Sequence, residues 1–246
     1  MPEGPSILII REALIPELKG KTISAASGNA GIEMDMLVGK KIKNVLSWGK
    51  HLLISMEGLT IRIHFLMFGT YSIDKQIRQK RSVRLKLEVG KKTVYFYTCA
   101  VNLLEGDIND FYDWETDVLN KKWNPAKARK TLKEYPDELA CDMLLDQDIF
   151  SGVGNIIKNE VLYRIKLHPE TKIGNIPPRK LTELVAEASN YTYDFLRWKK
   201  QFVLRKNWLA HTKKVCKRCN LPFQKKYCGK TKRRTFFCTN CQILYK

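Results

Sequence analysis

Thr60-Ile61-Arg62-Ile63-His64-Phe65 alternates apolar and polar side chains, so its isoleucines and Phe65 share one face of a strand while Thr60, Arg62 and His64 share the other. The pattern extends outward through residues 41–48, 51–56, 82–89 and 93–98, punctuated by Gly39, Gly49, Gly58, Gly69 and Gly90. Short strands spaced in this way predict an antiparallel sandwich or barrel. A helix is expected ahead of them, over about residues 5–14, with Pro16 bending or ending it.

Past about residue 113 the period becomes helical, with helices expected over 137–149, 155–166 and 178–195. In the last of these Leu181, Leu184, Val185, Ala188 and Tyr191 recur at helical spacing behind a Pro177-Pro178 start. The expected organisation is α+β: an N-terminal β domain over residues 1–115 with a flanking helix, a helical domain over 116–212 and a small finger over 213–246. Neither an internal repeat nor a low-complexity linker is present.

The 246 residues are 44% apolar and 28% charged, a globular composition that excludes disorder, collagen and a coiled coil. No apolar run approaches the roughly 20 residues of a membrane span, and Ile7 to Ile10 stops at Arg11 and Glu12. No export signal is therefore expected, and the seven cysteines read as thiols or metal ligands in a reducing compartment. A cytoplasmic monomer is expected, nucleoid-associated if bacterial.

The formal charge is +19, and its placement is uneven. No acidic residue follows Asp194, whereas 16 of the 44 Lys and Arg do, leaving 28 basic against 25 acidic residues before it. Such a segment invites a polyanion. The lack of a basic amphipathic helix with an apolar face favours nucleic acid over a membrane surface.

Three motifs carry chemistry. Cys216-x2-Cys219, 18 residues, then Cys238-x2-Cys241 is the spacing of two knuckles that close on one tetrahedral Zn²⁺, a structural site with no open position. Lys225, Lys226, Lys230, Lys232, Arg233 and Arg234 lie between the knuckles, and Thr235-Phe236-Phe237 reads as the returning strand of a hairpin. Cys228 is a fifth thiol able to compete as a ligand, while Cys99 and Cys141 read as buried bystanders.

Ser151-Gly152-Val153-Gly154-Asn155 joins two apolar helices; its glycines bare the turn, Asn155 can cap the second helix, and exposed amides at a helix start suit a phosphate. A tight interhelical turn explains the same residues. Met1-Pro2-Glu3-Gly4-Pro5 would, after removal of Met1, leave Pro2 as a free secondary amine beside a carboxylate. An amine attacks an electrophilic sugar carbon to form an iminium, and a carboxylate moves the protons.

These features together resemble the formamidopyrimidine-DNA glycosylase and endonuclease VIII family of base-excision repair enzymes. The resemblance runs in order through the Pro-Glu-Gly-Pro start, Gly49-Lys50-His51-Leu52-Leu53, Leu144-Leu145-Asp146-Gln147 leading to Gly152-Val153-Gly154-Asn155, Glu160 and the four-cysteine finger. It implies a two-layered β-sandwich, then a helical domain with a helix-two-turn-helix motif and a zinc finger, with damaged double-stranded DNA as partner and one structural Zn²⁺ per chain.

By the same resemblance Pro2 is the nucleophile that displaces the damaged base and leaves a Schiff base, Glu3 is the proton shuttle, and β,δ-elimination follows. Lys50, counted with this catalytic pair, and His64, Asn155 and Arg233 sit where the family places phosphate contacts, with Arg234 a rival to Arg233. Leu66-Met67-Phe68 stand where an apolar wedge fills the hole left by a flipped base. Ser6 replaces a common Glu, and no Arg-Arg-Phe segment occurs near residues 97–106. The absence of that segment, with Gly4 in the start motif, tilts the resemblance toward the endonuclease VIII branch and oxidised pyrimidines. A non-catalytic zinc-finger DNA-binding protein of the same fold is the alternative.

Overall fold

A computed structural model describes residues 2–246, which divide into two compact units, one ending at Asp113 and the other spanning Trp114–Lys246. Met1, whose removal the amine chemistry needs, lies outside the described residues.

The first unit opens with α1 (Gly4–Leu18), followed by β1 (Ile23–Ser27), β2 (Asn44–Trp48), β3 (His51–Ser55), β4 (Leu59–His64), β5 (Thr70–Ile73), β6 (Val83–Val89), β7 (Lys92–Tyr97) and β8 (Ala100–Glu105). Two four-stranded antiparallel sheets form, in the orders β2-β3-β4-β8 and β1-β6-β7-β5. Val45, Leu52, Ile54, Ile61 and Ile63 from the first sheet share one core with Leu85, Leu87, Val94 and Phe96 from the second. The architecture is thus a sandwich. In β4 the isoleucines are fully buried and Arg62 and His64 partly exposed, as the alternation requires, but Thr60, expected on the polar face, is buried at 2% exposure.

Helix α1 packs on β2 and β3 and does not stop at Pro16. Proline removes one N–H, but Leu14 and Leu18 are both fully buried, and the Lys19 amide still donates to Ile15 O at 3.0 Å. Tertiary burial holds the last turn against the local preference. Strands β1, β5 and β8 escaped the sequence pattern because Ser-Ala-Ala, a half-buried edge and an exposed Asn102 blur the alternation.

The second unit contains α2 (Pro125–Lys133), α3 (Ala140–Met143), α4 (Asn155–Arg164), α5 (Pro178–Lys200) and the hairpin β9 (Gln224–Cys228) and β10 (Arg233–Phe237). The helix expected over 137–149 shrinks to the single turn α3; residues 144–150 continue as turns held by Asp146, whose backbone oxygen accepts from the Phe150 amide and whose carboxylate accepts from the Asp148 amide. Helix α2, capped by the Asn124 side chain on the Lys127 amide, was not anticipated. Cys228 and Phe237 of the hairpin join the core of the helices. No helix among the described residues is long and apolar enough to cross a membrane.

Candidate active site and nucleic-acid interface

Pro2 is half-buried and lies just ahead of Glu3, the N-cap of α1, which has extended backbone conformation (φ −109°, ψ 171°). The Glu3 carbonyl accepts the Ser6 amide at 2.8 Å, and Glu3 is only 3% exposed. Ser6, where the resemblance leads one to expect Glu, is also buried. Glu3 is thus a buried acidic residue next to Pro2 in the chain.

Gly49 and Lys50 form the two-residue turn between β2 and β3, with Trp48 paired to His51. Gly49 takes φ +51°, the positive value that the first position of a tight hairpin requires. His51 in turn pairs with His64 across β3 and β4. Around them Trp48, His51, His64 and Tyr112 form a ring cluster with centroids 5.0–5.8 Å apart.

The Tyr112 hydroxyl lies 3.2 Å from His51 Nδ1, Trp48 Nε1 donates to Asp113 O at 2.9 Å, and an Arg62 Nη2 contact at 3.4 Å reaches Asn102 Oδ1. Burial, then the charges of His64, Arg62 and Lys50, push His51 down to about 4. Burial, then Lys50 and Arg62, lower His64 as well. Burial and the two neighbouring cations thus disfavour the charged form of both imidazoles.

Leu66, Met67 and Phe68 project from the end of β4, at 45%, 53% and 69% exposure. Phe65 beside them is buried at the core. The turn closes through Gly69, whose amide donates to Phe65 O at 2.7 Å; a Cβ there would stand 2.2 Å from that oxygen. Three successive exposed apolar side chains on a closed turn are not core residues.

In the second unit Gly154, not Asn155, is the N-cap of α4, because Asn155 already has helical geometry and its side chain turns toward β10. Asn155 Nδ2 donates to Arg234 O at 3.0 Å. Its Oδ1 is buried without a protein partner. Gly152, at φ +98°, lets the turn fold back so that its amide reaches Gln147 Oε1 at 3.1 Å.

One helical turn on, Asn159 receives the Phe236 amide on Oδ1, and Lys158, 1% exposed, donates to Thr235 Oγ1 at 2.7 Å. Burial pushes Lys158 down to about 8. Glu160, fully buried, accepts the amides of Leu209, Ala210 and His211 at 2.8–2.9 Å. Asp142 accepts the Lys230 and Thr231 amides from the hairpin turn.

Arg233 shares a strand face with Thr235 and so lies on the α4 side of the hairpin. Arg234 points to the other face, where its guanidinium meets the Tyr227 hydroxyl at 3.3 Å. The sequence reading missed His51, Arg62, Tyr112, Lys158 and Asn159; His51 and Arg62 stood on the polar faces of strands already identified, whereas the burial of Lys158 left no signal.

The thiols of Cys216, Cys219, Cys238 and Cys241 all lie within 4.8 Å of one another. A tetrahedron of thiolates about 2.3 Å from zinc has edges of about 3.8 Å, and Cys216 Sγ and Cys241 Sγ are 3.8 Å apart. The donor set fits a structural metal. Cys228 is not part of this cluster and packs in the helical core instead, while burial pushes the Cys99 and Cys141 thiols up to about 12.

Comparison with known proteins supports the same picture. The formamidopyrimidine-DNA glycosylase N-terminal domain family matches residues 1–100, and the formamidopyrimidine-DNA glycosylase H2TH domain family matches residues 115–201. The chain is 28% identical over 232 residues to endonuclease 8-like 3 of Xenopus laevis, covering 90% of this chain and 38% of that protein. It thus spans about two fifths of the length of such relatives. Identity is also 28% over 287 residues with formamidopyrimidine-DNA glycosylase of Lactobacillus helveticus, covering all of both chains.

In fold it matches the crystal structure of Lactococcus lactis formamidopyrimidine-DNA glycosylase non-covalently bound to DNA containing an AP site, with a TM-score of 0.85, 19% identity, and coverage of 98% of this chain and 99% of that one. With its sandwich, its H2TH domain and its four-cysteine hairpin, the chain belongs to the formamidopyrimidine-DNA glycosylase and endonuclease VIII family.

Proposed function

We propose that this protein is a bifunctional DNA glycosylase and AP lyase that removes oxidised bases, pyrimidines favoured, from double-stranded DNA. The observation that carries the reading is the buried Glu3 carboxylate next to Pro2 at the head of α1, in a chain of this family. With Met1 removed, the Pro2 nitrogen attacks C1′ and the damaged base departs with its bonding electrons, which Glu3 assists by delivering a proton as the sugar ring opens. The resulting iminium withdraws electrons from C2′, so loss of a C2′ proton expels the 3′ phosphate and a second elimination expels the 5′ phosphate.

Lys50 and His64 in the first unit, and Asn155 and Arg233 in the second, hold backbone phosphates flanking the lesion. An imidazole N–H of His64 donates to one such phosphate, and Asn155 Nδ2, which gives one N–H to Arg234 O, has a second to give. Leu66, Met67 and Phe68 fill the space of the flipped nucleotide. The pyrimidine preference rests on the β7–β8 connection, which is only Thr98-Cys99 and has no room for a projecting Arg-Arg-Phe segment. Cys216, Cys219, Cys238 and Cys241 hold one Zn²⁺ that folds the hairpin and takes no part in bond breaking.

The test is borohydride trapping on a duplex with one oxidised pyrimidine, with peptide mass analysis of the adduct. A reduced adduct on Pro2 is expected, lost in Pro2→Gly. Retained binding without an adduct, on this duplex and on an abasic one, would leave a DNA-binding protein without the chemistry.

A further inference from the structure

The exposed Leu66-Met67-Phe68 turn does not stand alone. Arg78, from the β5–β6 loop ten residues later, reaches it: its Nη1 donates to Phe68 O at 3.0 Å and to Thr98 Oγ1 at 3.2 Å. One guanidinium nitrogen thus ties the wedge turn to the short β7–β8 connection. The turn and the connection so joined each hold a conformationally costly residue, Leu66 at φ +50° and Thr98 at φ +51°, values that side-chain-bearing residues rarely adopt.

The loop that supplies Arg78 is itself fixed. Ser72 Oγ donates to Lys75 O at 2.7 Å and lies 2.9 Å from the Tyr97 hydroxyl, which accepts the Ile77 amide at 3.1 Å; Gln76 Nε2 donates to Arg78 O at 2.8 Å. Arg78 therefore leaves a pinned backbone and braces a turn whose three side chains lean on water. A bare apolar turn would collapse onto the protein surface, and a brace to its carbonyl opposes that collapse without covering the side chains.

We infer that Arg78 is a positioning residue that keeps the Leu66–Phe68 wedge projecting, so that tight binding of duplex DNA at a lesion depends on its guanidinium while binding of a single strand does not. The inference rests on the wedge role proposed above. A single strand has no partner base to be propped apart, so a wedge held out or collapsed makes little difference to it. The neighbouring Arg81 carries the same charge without bonding the wedge, and it serves as the charge control.

The experiment measures equilibrium binding of the full chain to a duplex carrying a tetrahydrofuran abasic site and to the same modified strand alone. Arg78→Ala is expected to weaken duplex binding about tenfold, the factor of one charge-assisted hydrogen bond, with single-strand binding changed less than about twofold. Arg78→Lys, which can still donate to Phe68 O, should recover part of the loss. Arg81→Ala should shift both substrates by the same small factor and be relieved by salt.

Equal losses on both substrates for Arg78→Ala, or none on the duplex, would overturn the inference. If Arg78→Ala melts well below the wild type, Arg78→Lys and Thr98→Ala decide instead, by whether the ratio of duplex to single-strand affinity falls. No step of this test needs base excision. Failure of trapping on Pro2 with the Arg78 effect intact would remove the enzymatic reading alone, and the reverse outcome would remove only the brace.

Discussion

The two units present their functional residues by opposite means. In the second, buried polar side chains stitch the hairpin to α3 and α4: Asp142 on the Lys230 and Thr231 amides, Lys158 on Thr235, Asn159 on Phe236, and Glu160 on three successive amides of the segment before the first cysteine. In the first, the sandwich core is apolar and the residues of interest sit on its rim, on two turns and an outer sheet face. A small basic hairpin has too little apolar surface to fix itself, so it depends on paired polar groups and on a four-cysteine cluster whose spacing fits a structural metal. The sandwich has core to spare, so its rim is shaped by backbone turns.

That contrast predicts which substitutions unfold the protein and which only weaken the DNA binding proposed for it. The largest effect belongs to the metal cluster. Cys238→Ser, or removal of metal by a chelator, should unfold the hairpin and weaken DNA binding by more than about a hundredfold, given the size of structural zinc affinities; metal content and binding isotherms read this out. Unchanged binding after complete metal loss would break the comparison.

Next is Glu160→Ala, which strands three buried amides at once. A loss of about 3 kcal/mol in the stability of the second unit is expected, seen in chemical denaturation. Burial raises the Glu160 carboxyl against the pull of the His211, Leu209 and Ala210 amides, so Glu160→Gln should not be silent either. Gly229→Ala follows, because the added Cβ would lie 2.1 Å from Asp142 Oδ2 at a residue with φ +69°. A cost of about 2 kcal/mol is expected, again read by denaturation.

Acid titration probes both units. His51 in the first and His211 in the second each fall from 6.5 to about 4, with burial the leading cause. On lowering the pH, the unfolded chain takes up these protons first, so stability from these groups is full above 6.5 and is lost between about 6.5 and 4. Calorimetry across that window should show melting temperature falling as pH falls, and a flat profile would contradict the burial of both rings. The smallest stability effect belongs to the wedge: Phe68→Ala should change stability by no more than about 0.5 kcal/mol while weakening binding to a lesion duplex.

The sequence carried the alternation over residues 61–65 and the convergence of the four finger cysteines directly, since alternation and cysteine spacing are local signals. It also singled out Pro2, Glu3 and Glu160 by position. It misplaced Asn155, which begins α4 in place of capping it, and it let Pro16 end a helix that continues to Leu18. In both cases a long-range partner overrides the local preference: β10 for the first, the sandwich core for the second.

What the chain order alone determined is the class of fold, the four-cysteine cluster and the candidate chemistry, because each is written in residue types at short, fixed spacing. Tertiary structure alone decided that Lys158 is buried against Thr235, that Arg233 and not Arg234 shares the α4 side of the hairpin, that burial and neighbouring cations lower the pKa of His51 and His64, and that Arg78 reaches Phe68. Each depends on the partners that folding brings from distant parts of the chain, and burial and hydrogen bonding exist only once those partners have met.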